Sequence, residues 1–181
     1  MQSDAPHWTR DSASQGDRPV LGTSVLVGRP REEVFKAWTQ FERFPLFMEN
    51  VRRVSVEDGR SIWEIEAPAG KEVILRNRIS HVEPGHAISW QSDDDSDVAN
   101  AGKVRFSDAP AERGTYVNLI LSYEPPAGLL GRGIAKLFQR EPAIQARRDL
   151  RRFKQLLETG EVTTNASPSG RESEIPTESR I

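Results

Sequence analysis

The sequence predicts an α+β domain in which a curved antiparallel sheet is closed by one long C-terminal helix. Two patterns carry this expectation. About six strand-like segments with hairpin punctuation follow one another through the middle of the chain. Then, from Leu129 to Leu157, apolar residues recur at Leu130, Ile134, Leu137, Ala146, Leu150, Phe153 and Leu157. Their steps of three and four place them on one helical stripe. A helix lying across a curved sheet can leave a cavity between the two layers, so the inward-facing residues become the ones to question.

The elements follow in order. Thr23–Val27 reads as a first strand. Pro30 suits the first turn of a helix, with Glu32 and Glu33 placed favourably for its dipole, and Val34, Phe35 and Trp38 share a side. A second short helical segment, Phe41 to Phe47, is rich in aromatics and broken by Pro45. Asp58-Gly59 between two strand patterns signals a type I′ hairpin. Ala69-Gly70 and Pro84-Gly85 mark further turns, with strands at Ala87–Gln91, Lys103–Ser107 and Thr115–Tyr123. Pro125-Pro126 ends the last strand, and Pro142 is expected to kink or divide the long helix.

Side-chain alternation assigns the faces. Trp63, Ile65 and Ala67 oppose Glu64 and Glu66, while Val73, Leu75, Asn77 and Ile79 oppose Ile74, Arg76 and Arg78. Pairing about Ala69-Gly70 would set Glu64 near Arg76 on the outer face. The inner face then gathers Trp63, Leu75, Asn77, Ile88, Trp90, Val104, Phe106, Val117, Leu119, Leu121 and Tyr123. By parity it offers no Asp, Glu or Lys for acid–base work, only Asn77 and Tyr123; His81 shares the parity and could reach a cavity mouth, but it reads first as a surface histidine. Trp63 and Trp90 read equally as core filler and as cavity lining with indole N–H donors.

Composition narrows the classes. The chain has 181 residues, 36% of them hydrophobic, a net charge of -2 and no cysteine. Disulfides, thiolate metal sites and thiol catalysis are thereby excluded. No segment approaches the ~18 consecutive apolar residues of a membrane span. The acidic opening Met1-Gln2-Ser3-Asp4 lacks a following hydrophobic run, so a cytoplasmic location is expected. Residues 1–20 and 161–181 are polar without period and read as disordered tails around a domain at 21–160. The final helical segment carries eight bases against three acids between Leu129 and Glu158. Its bases, among them Arg132, Lys136, Arg140, Arg147 and Arg151, mark either a solvated face or a docking surface for membrane or RNA. No DNA partner is expected.

Other motifs fail on inspection. Asp93, Asp95 and Asp97 alternate like a calcium loop, but the sixth position is Val98 and the twelfth Val104. That run reads as a solvated loop. Gly128, Gly131 and Gly133 form no phosphate cradle. No cofactor fingerprint or metal-ligand spacing is present.

The element order suggests a helix-grip layout, and specific segments sharpen it. Arg31–Trp38, Phe44–Met48, Val51–Val54, Ile88–Ser92, Asn100–Phe106, Gly114–Val117 and Asp149–Glu161 together resemble the START-like (SRPBCC) superfamily. More narrowly they resemble its polyketide cyclase/dehydrase group, which includes coenzyme Q-binding proteins. The resemblance implies a cavity under the C-terminal helix that holds a lipid, quinone or polyketide-like ligand, for a carrier or sequestering protein. The alternatives are a cyclase/dehydrase, with His81 or Tyr123 as proton donor, and a module that docks RNA, a ribosome or membrane. The expected lining is Phe47, Trp63, Leu75, Asn77, Trp90, Phe106, Leu121, Ile134 and Phe138, with Trp63, Asn77 and Trp90 orienting the ligand. Gly131, Gly133 and Pro142 are candidate pivots for a moving helix.

Overall fold

The structure, a computed structural model, describes residues 20–67, 70–124 and 142–162. Strand β1 (Val20–Val27) leads into helix α1 (Arg31–Trp38) and a 3-10 helix at Phe41–Leu46. Six strands follow: β2 (Val51–Glu57), β3 (Arg60–Ala67), β4 (Lys71–Glu83), β5 (Ala87–Ser92), β6 (Ala99–Asp108) and β7 (Thr115–Glu124). Helix α2 (Pro142–Thr159) comes last.

The strands form one antiparallel sheet in the order β1-β7-β6-β5-β4-β3-β2. From β2 to β7 the chain is a meander, so each strand pairs with its sequence neighbour. Only the β1-to-β2 connection runs from one edge to the other, and it carries α1 and the 3-10 helix. The curved sheet is not closed into a barrel, and α2 packs against β1.

Local chemistry explains the joints. Asp58 and Gly59 both adopt positive φ, 50° and 74°, as a type I′ turn requires. Pro30 directly precedes α1, whose first turn carries Glu32 and Glu33. Pro142 stands at the first residue of the described helix, where a missing N–H is tolerated. Residues 129–141, the first half of the expected helix, lie outside the described residues, Gly131 and Gly133 with them.

The C-terminal end of α2 is bound to the β1–α1 corner. Arg29 donates from Nε to the Leu157 carbonyl (2.9 Å) and from its terminal nitrogen to the Glu158 carbonyl (3.1 Å). A cation there satisfies orphan carbonyls and complements the helix dipole. The Gly28 N–H donates to Glu158 Oε1 at 2.6 Å, and Lys154 Nζ donates to the Leu26 carbonyl at 2.9 Å. These four bonds fix where the helix lies over the sheet.

Burial falls into two groups. The larger joins Val34 and Trp38 of α1, Phe44 and Phe47, Phe106 of β6, and Leu150 and Phe153 of α2. Its rings meet mostly edge to face, with centroids 5.1 Å apart for Trp38–Phe153 and 5.3 Å for Trp38–Phe44. The smaller joins Ala67, Val73 and Val98, with Leu75 and Tyr123 against them.

Two expectations change on the outer face. β3 and β4 do pair, but Glu64 lies opposite Ile74, and Arg76 opposite Ile62. Glu64 instead approaches Arg53 of β2 at 4.0 Å. The aspartate run is not simply solvated. Asp93 meets Arg60 (2.6 Å) and Arg78 (3.3 Å), while Asp95 meets Arg60 (2.6 Å) and Arg76 (3.6 Å). Asp97 accepts from the Ile74 N–H at 2.7 Å. The loop neutralises a row of arginines on β3 and β4, something that motif spacing alone does not reveal.

Candidate functional site: a cavity between sheet and helix

A cavity of about 240 Å³ opens between the inner face of the sheet and α2. Residues from both buried groups line it. Trp63 and Ile65 come from β3, Leu75, Asn77 and Ile79 from β4, Trp90 from β5, and Leu119, Leu121 and Tyr123 from β7. Trp38, Phe41, Phe44 and Met48 close one side, and Gln145, Ala146, Asp149 and Leu150 of α2 form the roof. The walls are predominantly carbon, the usual character of a small-molecule site with a few placed polar groups.

Trp90 owes its position to Gly102. The two face each other across the β5–β6 ladder, and a Cβ at Gly102 would drive into the indole ring. The missing side chain lets the ring lie over β6 and form a wall. Gly102 in turn faces Leu121 on β7, so one row across three strands shapes this part of the cavity.

The polar groups form a short chain on β3 and β4. Trp63 Nε1 donates to Ser61 Oγ at 2.9 Å, and the Ser61 hydroxyl donates to the Asn77 main-chain carbonyl at 3.4 Å. The Trp63 indole N–H is therefore already used within the protein, contrary to the expectation that it would be offered to a ligand. Asn77 is only 5% exposed, and its side-chain oxygen has no hydrogen-bond partner among the described residues.

Asp149 is the unexpected group. It stands on α2, part-buried, and accepts from Gln145 Nε2 at 2.9 Å. Burial raises its carboxyl from 3.8 to about 7, with Glu49 adding to the rise. The Gln145 hydrogen bond, Arg152 and Arg148 oppose it. Desolvation wins because the carboxyl loses more hydration than these partners return. A group that titrates near neutrality thus lines the cavity.

Of the residues expected to line the site, the structure brings together Trp63, Leu75, Asn77, Trp90 and Leu121, and Tyr123 joins them. Phe47 and Phe106 stand elsewhere, inside the ring-packed core. Phe47 sits 4.8 Å from Phe44 and 5.1 Å from Phe153, and Phe106 5.5 Å from Phe35. Core and cavity residues of the strands share inward parity, and what separates them is which helix covers them: Phe106 lies under Phe35 and Trp38 of α1. Ile134 and Phe138 lie outside the described residues. His81 is exposed. A bulge between Ile79 and His81 shifts the β4–β5 register and turns the histidine away from the inner face.

Strand parity missed Asp149 and Gln145 because they belong to the helix. Asp149 lies three residues after Ala146 and four before Phe153, so the helical period of the buried stripe already placed it beside the sheet. Among the described residues, no cluster of three or more His, Asp or Glu could hold a metal ion, and no helix is long and apolar enough to cross a membrane. Of the helix bases, Arg132, Lys136 and Arg140 lie outside the described residues. Arg147 and Arg151 are exposed, while Arg148 and Arg152 lie 3.8 and 3.3 Å from Glu49.

Comparison with known proteins agrees with this architecture. A protein of Deinococcus radiodurans of known structure shares 36% identity, covering 78% of this chain and 99% of its own, with a TM-score of 0.62. An aromatase/cyclase of Streptomyces sp. R1128 superposes with a TM-score of 0.60 at 11% identity, covering 81% of this chain and 99% of its own. A START superfamily protein of Mycobacterium smegmatis gives 0.50 at 12% identity, covering 72% and 97%. The last two likenesses are of fold. The family described as "Polyketide cyclase / dehydrase and lipid transport" matches residues 27–151, more than half of the sequence. With its seven-stranded sheet and C-terminal helix, the chain belongs to that family.

Proposed function

We propose that this protein binds one hydrophobic small molecule between the sheet and α2, as a carrier or sequestering protein. The observation that supports this most is the cavity of about 240 Å³ between two separately buried groups, walled by Trp63, Leu75, Trp90 and Leu121. Binding would be driven by removing apolar surface from water, worth ~25 cal/mol per Å². A ring compound burying ~250 Å² would thus gain about 6 kcal/mol before the costs of association. Lipids, quinones and polyketide-like rings all fit this chemistry.

The test is native mass spectrometry of freshly purified protein, followed by organic extraction. A stoichiometric apolar adduct would support the reading and name the ligand class. Bare protein that also ignores a panel of lipids, quinones and aromatic polyphenols would sink it.

Asp149 favours a second reading, acid–base turnover of a bound polyketide-like substrate. A carboxyl near neutrality inside an apolar cavity can hold and return a proton at working pH. On that reading Asp149→Asn abolishes turnover while ligand affinity stays within about twofold. Loss of affinity without any turnover in the parent protein would leave binding as the function.

A further inference from the structure

The side chain of Asn77 is a buried acceptor that the fold does not satisfy. It sits in the middle of β4 between Leu75 and Ile79, faces the cavity, and is 5% exposed. Its amide oxygen has no partner among the described residues. Trp63 Nε1 donates to Ser61 Oγ, and the Ser61 hydroxyl donates to the Asn77 main-chain carbonyl, so neither reaches the amide oxygen. Gln145, on the roof, donates to Asp149. An amide left unmatched in a carbon-walled space is costly, and a leucine would fill the same volume without that cost. A ligand that donates a hydrogen bond removes the deficit.

We infer that Asn77 is a specificity-determining residue, whose amide oxygen accepts a hydrogen bond from a hydroxyl on the bound ligand. This rests on the reading of the cavity as an apolar-ligand site and narrows the class it takes. Hydroxylated ring compounds such as phenols and enols fit. Bare hydrocarbons, and fully oxidised quinones with only acceptor oxygens on the ring, leave the amide oxygen unmatched.

Three compounds of one skeleton separate the alternatives: 2-naphthol, 2-methoxynaphthalene and naphthalene. The ether is larger than the naphthol and the hydrocarbon smaller, so a preference that simply rises or falls with size cannot favour the middle member. Water-to-hydrocarbon transfer favours naphthalene, so apolarity cannot do so either. Equilibrium dialysis against the full chain should show 2-naphthol binding at least about 10-fold tighter than both. In Asn77→Leu that preference should fall below about 2-fold, while naphthalene binds as well as before or better. Should the leucine variant not fold, Asn77→Ala removes the same amide. Equal binding of all three to the parent protein overturns the role of Asn77 and leaves the apolar cavity standing. A preference that survives in the variant overturns it too. If none of the three binds, the apolar-cavity reading itself fails, and this inference with it.

Discussion

Replacing Asp149 by asparagine should stabilise the protein, and by an amount that grows with pH. The carboxyl is raised from 3.8 to about 7 by burial against Leu150, Ala146 and the cavity wall, with Glu49 reinforcing the rise. Gln145, Arg152 and Arg148 act the other way without cancelling it. Between these two values the folded state holds a proton that the unfolded chain has released. The contribution of this group to stability is therefore fully present below about pH 4, declines as pH rises toward 7, and levels off above that. At 1.36 kcal/mol per unit, ionising Asp149 in place costs up to about 4 kcal/mol, which water reaching the part-buried group trims toward 2. Asparagine keeps the shape and never ionises. Urea unfolding of both proteins from pH 4 to pH 8 measures the difference directly. The asparagine variant should gain about 2–4 kcal/mol relative to the parent across that interval. A stability difference that stays flat with pH would show that the carboxyl is not held away from water, and would refute the reasoning.

Other perturbations test the remaining parts of the account. Gly102→Ala places a Cβ inside the Trp90 ring, so the indole must leave its place. Thermal unfolding should register a loss of about 1–3 kcal/mol, and tryptophan emission should shift as the ring moves. Arg29→Ala removes both donors from the Leu157 and Glu158 carbonyls. Global stability should fall by about 1–2 kcal/mol, with amide exchange rising first in the last turn of α2.

The fold was legible because its signals are local. Asp58-Gly59 names its turn through the φ values it tolerates, and the alternation of Trp63, Ile65 and Ala67 names the buried side of β3. Much of the cavity wall followed from the same alternation, which is why Trp63, Leu75, Trp90 and Leu121 were in view from the start. Where the reading went astray, a non-local fact intervened. The inner parity of His81 is undone by one extra residue in β4, which leaves it the surface residue it was expected to be. Phe106 has the right parity but is covered by Phe35 and Trp38 of α1, and Phe47, which follows the 3-10 helix, packs on Phe153 of α2. The pairing of Asp93 and Asp95 with Arg60, Arg76 and Arg78 depends on a loop folding back over two strands. Asp149 was the avoidable omission. It lies on the helical stripe already counted, yet it entered only the charge count of that helix.

The central claim is that the space between sheet and helix holds an apolar ligand, and Leu121→Trp tests it most directly. Leu121 lines the cavity from β7, so a larger ring at that position takes up space that a ligand would use. Calorimetric titration of the parent protein with 2-naphthol at several temperatures should show one site and a negative heat-capacity change. In Leu121→Trp the binding should weaken at least about 10-fold while the urea midpoint stays near that of the parent. Undiminished binding to a folded Leu121→Trp variant would place the ligand elsewhere and contradict the account.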